Sequence, residues 1–312
     1  SNNPLKLTRG ALSRLLGIMI RQAMNPAASV PSKASKFLEA LSPSQVAVTL
    51  FLGMLLAHSL LLPGVARRWI PAGDEPHYLL MTHSLLHDGD VDLANNYAQG
   101  DYTRFFPDAH LSPPHTGHGK DGGQYSWHSP GLPAILVPAY RFWGREGVLY
   151  ALSAAASLLV AGIYLLAHRV TGSSAASLVA SLSLAFTPPL LHYAYLIYPE
   201  TCAASIVTGV QASHWGNVGV LSGLRLFFLG LAWGSLFWFS PRFVPLVAAL
   251  ALWTIWRMRP WGKSLMANLS FLLVPLTLSL GGVAIYDYLL FGSPRPDAPM
   301  LAEGLPGAAR LL

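Results

Sequence analysis

The chain carries few charged side chains: Asp, Glu, Lys and Arg together make up 11% of its 312 residues. Soluble domains contain about 25% of these residues, so an ordinary soluble protein is excluded. Hydrophobic residues make up 53% and gather in blocks close to the roughly 20 residues that a membrane-crossing helix needs. The clearest blocks are Val46–Ala66, Gly147–Ala167, Leu224–Phe239, Phe243–Met258 and Leu265–Leu290. This pattern predicts an all-α, polytopic membrane protein.

Cysteine is nearly absent as well. Cys202 is the only one, which excludes an intrachain disulfide and a metal site built from several thiolates. A secretory signal is also missing, because residues 1–44 are polar and basic and lack an apolar core followed by a small-residue cleavage site. We therefore expect residues 1–44 to be a cytoplasmic N-terminal segment and the first apolar block to be retained as an anchor.

The net charge of +6 does not indicate a nucleic-acid partner. The basic residues stand at the ends of apolar blocks and do not form one continuous basic face. Arg257, Arg259 and Lys263 form the strongest basic cluster, and the charge rule for membrane proteins assigns such a cluster to the cytoplasm. These arguments leave membrane lipids as the expected surroundings of the chain.

About seven spans fit this charge pattern, at residues 46–66, 147–167, 174–195, 201–222, 224–239, 243–258 and 265–290. Gly131–Trp143 is about 13 residues long, too short to cross, and is expected to be an interfacial or re-entrant helix. Had it crossed, the basic cluster would fall outside. Pro188-Pro189 should break or kink the third span. The prediction is a transmembrane domain at 45–300 with a large first outer loop at 67–146, and a truncated outer segment at 301–312.

Two adjacent carboxylates, Asp74 and Glu75, lie in the first loop shortly after the first span. Carboxylates are costly to hold near lipid, so the pair is a candidate functional site. An equally direct interpretation is helix capping, with Pro76 at the first helical position of an interfacial helix Pro76–His87. The residues alone leave both interpretations open.

Metal binding is also left open by the residues. His83 and His87 are four apart, so a helix would place both rings on one face, as in many metal sites. No third ligand stands at a fixed spacing, although Glu200 is a candidate distant ligand. The segment Asp88-Gly89-Asp90-Val91-Asp92 superficially resembles a calcium loop but lacks the glycine and glutamate of an EF-hand, so we expect a tight turn there.

Three segments of the first loop carry a resemblance to a known family: Gly73-Asp74-Glu75-Pro76-His77-Tyr78-Leu79, His87-Asp88-Gly89-Asp90 with Asn95-Asn96-Tyr97, and Tyr125-Ser126-Trp127-His128-Ser129-Pro130-Gly131-Leu132-Pro133. They resemble the first outer loop of bacterial family-39-type glycosyltransferases of the C superfamily (GT-C), the group that includes protein O-mannosyltransferases and the lipid A aminoarabinose transferase. The resemblance continues at Tyr198-Pro199-Glu200, Pro241-Arg242-Phe243 and Phe291-Gly292-Ser293-Pro294, so it spans about residues 46–300 and is most specific in the first loop.

The resemblance implies a GT-C-like bundle in the bacterial inner membrane, with the first loop in the periplasm. The implied reaction transfers a sugar from a polyprenyl-phosphate donor to a hydroxyl of a lipid, glycan or protein acceptor. Asp74 would be the general base, and Glu75 would position the acceptor or tune Asp74. No cofactor is required for this reaction, and a divalent metal is an open option. The residues implied in binding the donor phosphate or substrate are Arg242, Arg141, His77, Tyr78, His128 and Glu200.

Two other functions remain as alternatives. A transporter or flippase would use a helix broken at Pro188-Pro189 and ion sites at Asp74 or Glu200. Against it, the predicted spans contain few ionisable groups, and the carboxylates cluster in one outer loop. A fragment without catalytic activity is the third interpretation, since further helices could be needed to complete a donor cavity.

Overall fold

The computed structural model describes residues 40–107, 111, 115–214, 222–257 and 265–302, and these are mostly helical. The predictions for residues 1–44 and 301–312, and the basic cluster after Arg257, lie largely outside the described residues. The helices are α1 (Pro43–Arg68), α2 (Glu75–His87), α3 (Ala94–Gln99), α4 (Gly131–Thr171), α5 (Ser174–Ala185), α6 (Pro188–Tyr193), α7 (Pro199–His214), α8 (Gly223–Phe239), α9 (Val244–Arg257), α10 (Leu265–Phe291) and α11 (Ala298–Ala302). Two 3-10 turns, Asp101–Arg104 and Pro241–Phe243, and two strands, β1 (Thr116–His118) and β2 (Gln124–Ser126), complete the described elements.

Three helices, α1, α4 and α10, are long and apolar enough to cross a membrane. Large apolar side chains on α1 and α10 point away from the protein: Leu60 is 73% exposed and Leu278 is 69% exposed. Apolar surface of this extent indicates contact with lipid. The prediction of a mostly helical protein is confirmed, and three helices that are long and apolar enough to span a membrane support the membrane assignment. The number of about seven spans stays a prediction, because α5, α7, α8 and α9 are each shorter than 18 residues.

The predicted third span, 174–195, is not one continuous helix. Helix α5 ends at Ala185, and Thr187 is extended with φ −71° and ψ 144°. A residue before proline disfavours the helical conformation, and Pro188 opens the separate short helix α6. The break predicted at Pro188-Pro189 is confirmed, but it divides the segment into two helices. Of the predicted fourth span, 201–222, the described part forms α7, which ends at His214.

Helix α4 is broken where the sequence predicted the end of a short helix. Trp143 has φ −140° and ψ 20°, and Gly144 has φ 55° and ψ −139°, a conformation essentially restricted to glycine. A short helix therefore precedes a longer one that begins at Arg145. Arg145 donates a hydrogen bond from Nη1 to the carbonyl of Ala66 at 3.0 Å, which ties the break to the end of α1. The interfacial position of the short helix stays a prediction.

Helix α4 is the centre of the packing, with α1, α2, α5 and α7 against it, while α8 packs along α10. Leu149, Leu152 and Trp233 are among the fully buried side chains of this core. Glycine permits the closest approach between α8 and α10, because a Cβ on Gly230 would meet the backbone carbonyl of Leu272. Helix α8 therefore packs against α10 with their backbones close together at Gly230.

Segments that the sequence assigned to the outer side meet at one end of the bundle. The backbone N–H of Lys120, in the first loop, donates to the carbonyl of Leu290 at 2.9 Å near the end of α10. Glu75 accepts a hydrogen bond from the N–H of Ile197 at 2.9 Å, between α6 and α7. These contacts agree with the alternation of sides that the charge pattern predicted, although the side itself stays a prediction.

The acidic segment after α2 is a hydrogen-bonded turn, as predicted. Gly89 has φ 77°, and the Oδ1 atom of Asp90 accepts from the N–H of Asp92 at 3.1 Å. Asp92 Oδ1 in turn accepts from the N–H groups of Ala94 at 3.0 Å and Gln124 at 2.9 Å. The carboxylates therefore hold the turn against β2 and are engaged in protein hydrogen bonds.

Candidate functional site

Helix α2 begins at Glu75, one residue before the predicted start, and Asp74 occupies its N-cap position. The Asp74 side chain makes no capping hydrogen bond, so the capping interpretation of this carboxylate is not supported. Gly73 has φ +60°, and a Cβ there would lie 2.8 Å from the Tyr198 hydroxyl oxygen. This tight turn directs the Asp74 carboxylate away from its own helix and towards β1 and β2.

Glu75 is buried, with 3% of its surface exposed. Its Oε2 atom accepts from the N–H of Ala72 and its Oε1 atom from the N–H of Ile197, both at 2.9 Å. Burial raises the pKa of Glu75, against these two hydrogen bonds and the positive charge of Arg145. With both oxygens engaged by backbone, Glu75 joins the start of α2 to the segment before α7, and a part for it in catalysis stays a prediction.

We expect Glu75→Gln to lower the free energy of unfolding by about 1–3 kcal/mol, because an amide NH₂ would replace one oxygen and leave a backbone N–H without an acceptor. The measurement is the melting temperature of the detergent-purified protein. Glu146→Gln is the matched control, since Glu146 is exposed on α4 and should melt as the unaltered protein does. An unaltered melting temperature for Glu75→Gln would contradict the structural assignment.

The hairpin of β1 and β2 brings two histidines together across a gap of 13 positions. Thr116 pairs with Ser126, so His115 stands just before β1 and His128 two residues after β2. The N–H of Trp127 donates to the carbonyl of His115 at 2.8 Å and extends the pairing by one residue. This register places the residues that flank the two strands opposite one another, so His115 and His128 lie close together.

Asp74, His115 and His128 converge at one point. Asp74 Oδ1 lies 3.2 Å from His115 Nδ1 and 3.8 Å from His128 Nε2, and the two nitrogens are 3.4 Å apart. The three side chains remain partly open, with exposures of 35% for Asp74, 24% for His115 and 14% for His128. We call these three residues the Asp74 triad.

Aromatic rings hold the imidazoles of the triad in place. His115 lies between His77, with ring centroids 3.9 Å apart, and Trp127, with centroids 5.1 Å apart, and both pairs are stacked. His77 is fixed in turn by a hydrogen bond of 2.7 Å between its Nδ1 atom and the Tyr97 hydroxyl. Tyr78, in α2, packs against His128, which follows β2, with the ring centroids 4.6 Å apart.

Electrostatics favour a charged Asp74 beside neutral rings. The hydrogen bond with His115 is the main cause that lowers the pKa of Asp74, opposed by partial burial. Burial lowers the pKa of His128 to about 4 and that of His77 to about 3. At neutral pH the corner therefore holds one carboxylate and uncharged imidazoles at His77 and His128.

Two further predicted residues border this corner. The charges of Glu200 and Arg242 both act on the Tyr78 phenol, and Arg242 also acts on His128. Arg242 is exposed, and among the described residues no side chain pairs with its guanidinium. Glu200 stands in the first turn of α7, and its buried Oε2 atom has no hydrogen-bond partner within the described part of the chain. The exposed guanidinium of Arg242 is thus available to a ligand, whereas the Oε2 atom of Glu200 is closed off from solvent.

Arg141 is not at the Asp74 corner. It lines a separate cavity of about 570 Å³, together with two other arginines, Arg104 and Arg145, and the pair His83 and His87. His83 is engaged there, since its Nδ1 atom is 3.1 Å from the Tyr140 hydroxyl and its Nε2 atom is 3.7 Å from Asp101. In the residues that the structure describes, the His83–His87 pair does not belong to a group of three candidate metal ligands, and neither does Glu200.

The sequence interpretation did not bring His115 and Trp127 together with Asp74, although both lie in the first loop. The indole Nε1–H of Trp127 is buried and has no hydrogen-bond partner in the described parts of the chain. The signal that could have found them is the hairpin: Gly119-Lys120-Asp121-Gly122-Gly123 is a turn sequence, and the residues that flank its two strands must meet.

No family model matches the chain, and no curated protein or solved structure is similar to it in the comparisons made.

Proposed function

We propose that the chain transfers a sugar from a polyprenyl-phosphate-linked donor to an acceptor hydroxyl at the periplasmic face of a bacterial inner membrane. The observation that carries the proposal is the Asp74 carboxylate, which is partly open and directed away from its helix, at a corner bordered by the exposed cation Arg242. The resemblance of the first loop to GT-C glycosyltransferases supplies the reaction. The proposed topology of about seven spans with a cytoplasmic N-terminus comes from the apolar blocks and the distribution of basic residues.

Asp74 acts as the general base in this proposal. Its carboxylate takes the proton of the acceptor hydroxyl as the hydroxyl oxygen attacks the anomeric carbon of the sugar. The bond between that carbon and the phosphate oxygen breaks, and its electron pair leaves with the polyprenyl phosphate. Because attack and departure occur on opposite faces of the carbon, one base suffices and the anomeric configuration is inverted. A low pKa keeps Asp74 ionised at neutral pH, ready for the proton.

The remaining residues of the corner bind and position the reactants. Arg242 presents a guanidinium, whose fork of N–H donors matches the oxygens of the leaving phosphate. Tyr78, His77 and His128 form the packed wall behind Asp74. Glu200 stands in the first turn of α7, near enough for its charge to act on Tyr78, and its carboxylate would accept a hydrogen bond from a sugar or acceptor hydroxyl. A role for Arg141 in binding the same donor phosphate finds no support in its position in the other cavity.

The experiment that tests the proposal measures release of polyprenyl phosphate from radiolabelled donors by the purified chain, with Arg242→Gln as the informative variant. We expect turnover with at least one donor, and a KM for that donor raised about 10-fold or more in Arg242→Gln, since a hydrogen bond to a charged group contributes about 1.5–3 kcal/mol.

Arg225→Gln is the matched control for this variant. Arg225 is exposed in the first turn of α8, at the end opposite Arg242, and its loss should leave KM unaltered. Failure of the chain to bind or turn over any polyprenyl-phosphate sugar would overturn the proposed function. Equal KM values for Arg242→Gln and Arg225→Gln would overturn the assignment of Arg242.

A further inference from the structure

We propose that the Asp74 triad binds one divalent transition-metal ion, of which zinc is the best fit. The triangle of ligand atoms, with sides of 3.2, 3.4 and 3.8 Å, has the size that such an ion needs. In a tetrahedral zinc site with bonds of about 2.0–2.2 Å, ligand atoms stand about 3.4 Å apart. An ion would therefore fit against these three atoms with side-chain movements of only a few tenths of an ångström.

Hydrogen bonds alone do not satisfy this arrangement. If His115 Nδ1 carries a proton and donates it to Asp74 Oδ1, it cannot accept from His128 Nε2, which lies 3.4 Å away. His128 Nε2 is itself 3.8 Å from Asp74 Oδ1, beyond hydrogen-bond distance. Only one of the three sides can therefore carry an ordinary hydrogen bond at a time, whereas one cation bound at the centre would engage all three atoms at once.

Neighbouring side chains fix the orientation of the three ligands, as is typical of a preorganised metal site. The three ligands come from two rigid elements, the start of α2 and the two ends of the hairpin. Stacking of His115 between His77 and Trp127 fixes its plane, and Tyr78 restrains His128. Ligands whose orientation is set in advance lose little freedom when an ion binds, as in functional metal sites.

The chemical types of the three ligands indicate which ions the site would prefer. Two imidazoles and one carboxylate suit zinc, iron(II), cobalt or nickel, whereas calcium and magnesium prefer sites made entirely of oxygen atoms. Three protein ligands with partial exposure leave a fourth position open to water or to a substrate oxygen, which distinguishes catalytic from structural zinc sites. The site thus has the composition of a reactive centre.

This inference stands on ligand geometry and does not depend on sugar transfer. Where both hold, the ion and the base are compatible, because the triangle uses only Oδ1 of Asp74 and leaves Oδ2 for the acceptor proton. A hydroxyl bound at the open position of the ion would have a lowered pKa, and Oδ2 would accept its proton. Asp74 would thus bind the ion through one carboxylate oxygen and take the acceptor proton with the other.

The test is metal binding by the full chain, purified in detergent through a tag without histidines and stripped with a chelator. Titration calorimetry with Zn²⁺, the visible spectrum with Co²⁺ and elemental analysis should give one ion per chain and a tetrahedral cobalt spectrum. We expect His115→Ala and His128→Ala to bind at least about 100-fold more weakly, since loss of a supporting residue alone costs about 10–100-fold.

His87→Ala is the matched control, because His87 is exposed near the other end of α2 and should bind as the unaltered chain does. The cobalt spectrum of the unaltered chain, and a rise of its melting temperature with Zn²⁺, test the site even if a variant misfolds. The proposal is overturned if the unaltered chain binds no ion, if the triad variants bind equally well, or if only His87→Ala loses the ion. A chain that binds zinc but turns over no donor would reject the proposed function and leave the metal site standing.

Discussion

Replacing Asp74 by asparagine should reduce sugar transfer at least about 100-fold, the smallest effect usual for loss of a general base. The loss should appear in kcat with donor binding retained, because the asparagine keeps the shape of the side chain but cannot take the acceptor proton at neutral pH. The pKa of Asp74 lies below its ordinary value, so the unaltered carboxylate is ionised across the neutral range. The measurement is initial-rate release of polyprenyl phosphate at saturating donor.

Two controls separate loss of the general base from other effects of the Asp74→Asn substitution. Rates should be compared with and without added zinc, so that weaker metal binding by the asparagine does not stand in for loss of the base. Glu146→Gln removes an exposed carboxylate from α4 and should transfer at the unaltered rate. A fully active Asp74→Asn protein would show that Asp74 is not the base and would return the first-loop acidic pair to a structural role.

A methyl group at Gly230 should destabilise the protein by about 1–3 kcal/mol, the usual cost of an overfilled interior. The added Cβ would press on the backbone carbonyl of Leu272 and lie 2.5 Å from Pro275 Cγ. Neither group can turn away, because one is backbone and the other is a ring inside α10. Helices α8 and α10 would have to separate along their contact. The melting temperature of Gly230→Ala in detergent measures the effect.

Gly281→Ala is the matched control for this change, since a Cβ at Gly281 meets nothing within 4 Å. It lies in α10 itself, where alanine is the better helix former by about 1 kcal/mol. We therefore expect Gly281→Ala to melt at the same temperature as the unaltered chain or higher. If both variants melted alike, the close packing of α8 on α10 would be contradicted.

The helical elements could largely be predicted because their signals are local. Apolar blocks gave α1, α8 and α10 nearly to their ends, and Pro76 with the preceding carboxylates gave the start of α2. The break near Trp143 followed from the shortness of the apolar stretch before it. The extent of the break at Pro188 did not follow, because whether a proline kinks a helix or ends it depends on the neighbours that satisfy its freed backbone groups.

The candidate site could be predicted only in part, because its residues come from distant positions. Asp74, His128 and Arg242 were found from motif resemblance, but the partnership of Asp74 with His115 depends on the fold of the hairpin against α2. Adjacency in the chain did not reveal that Asp74 and Glu75 have different surroundings. Glu75 is next to Asp74 in sequence, yet successive residues on a helix start point in different directions, and only Asp74 faces the open corner.

The most direct test of the account is an electron cryo-microscopy structure of the chain with a polyprenyl-phosphate sugar bound. The account predicts the sugar at the Asp74 corner, with the anomeric carbon facing the Asp74 carboxylate and the phosphate on the Arg242 guanidinium. A donor bound instead in the cavity of Arg104 and Arg141, with Asp74 facing no ligand, would contradict it.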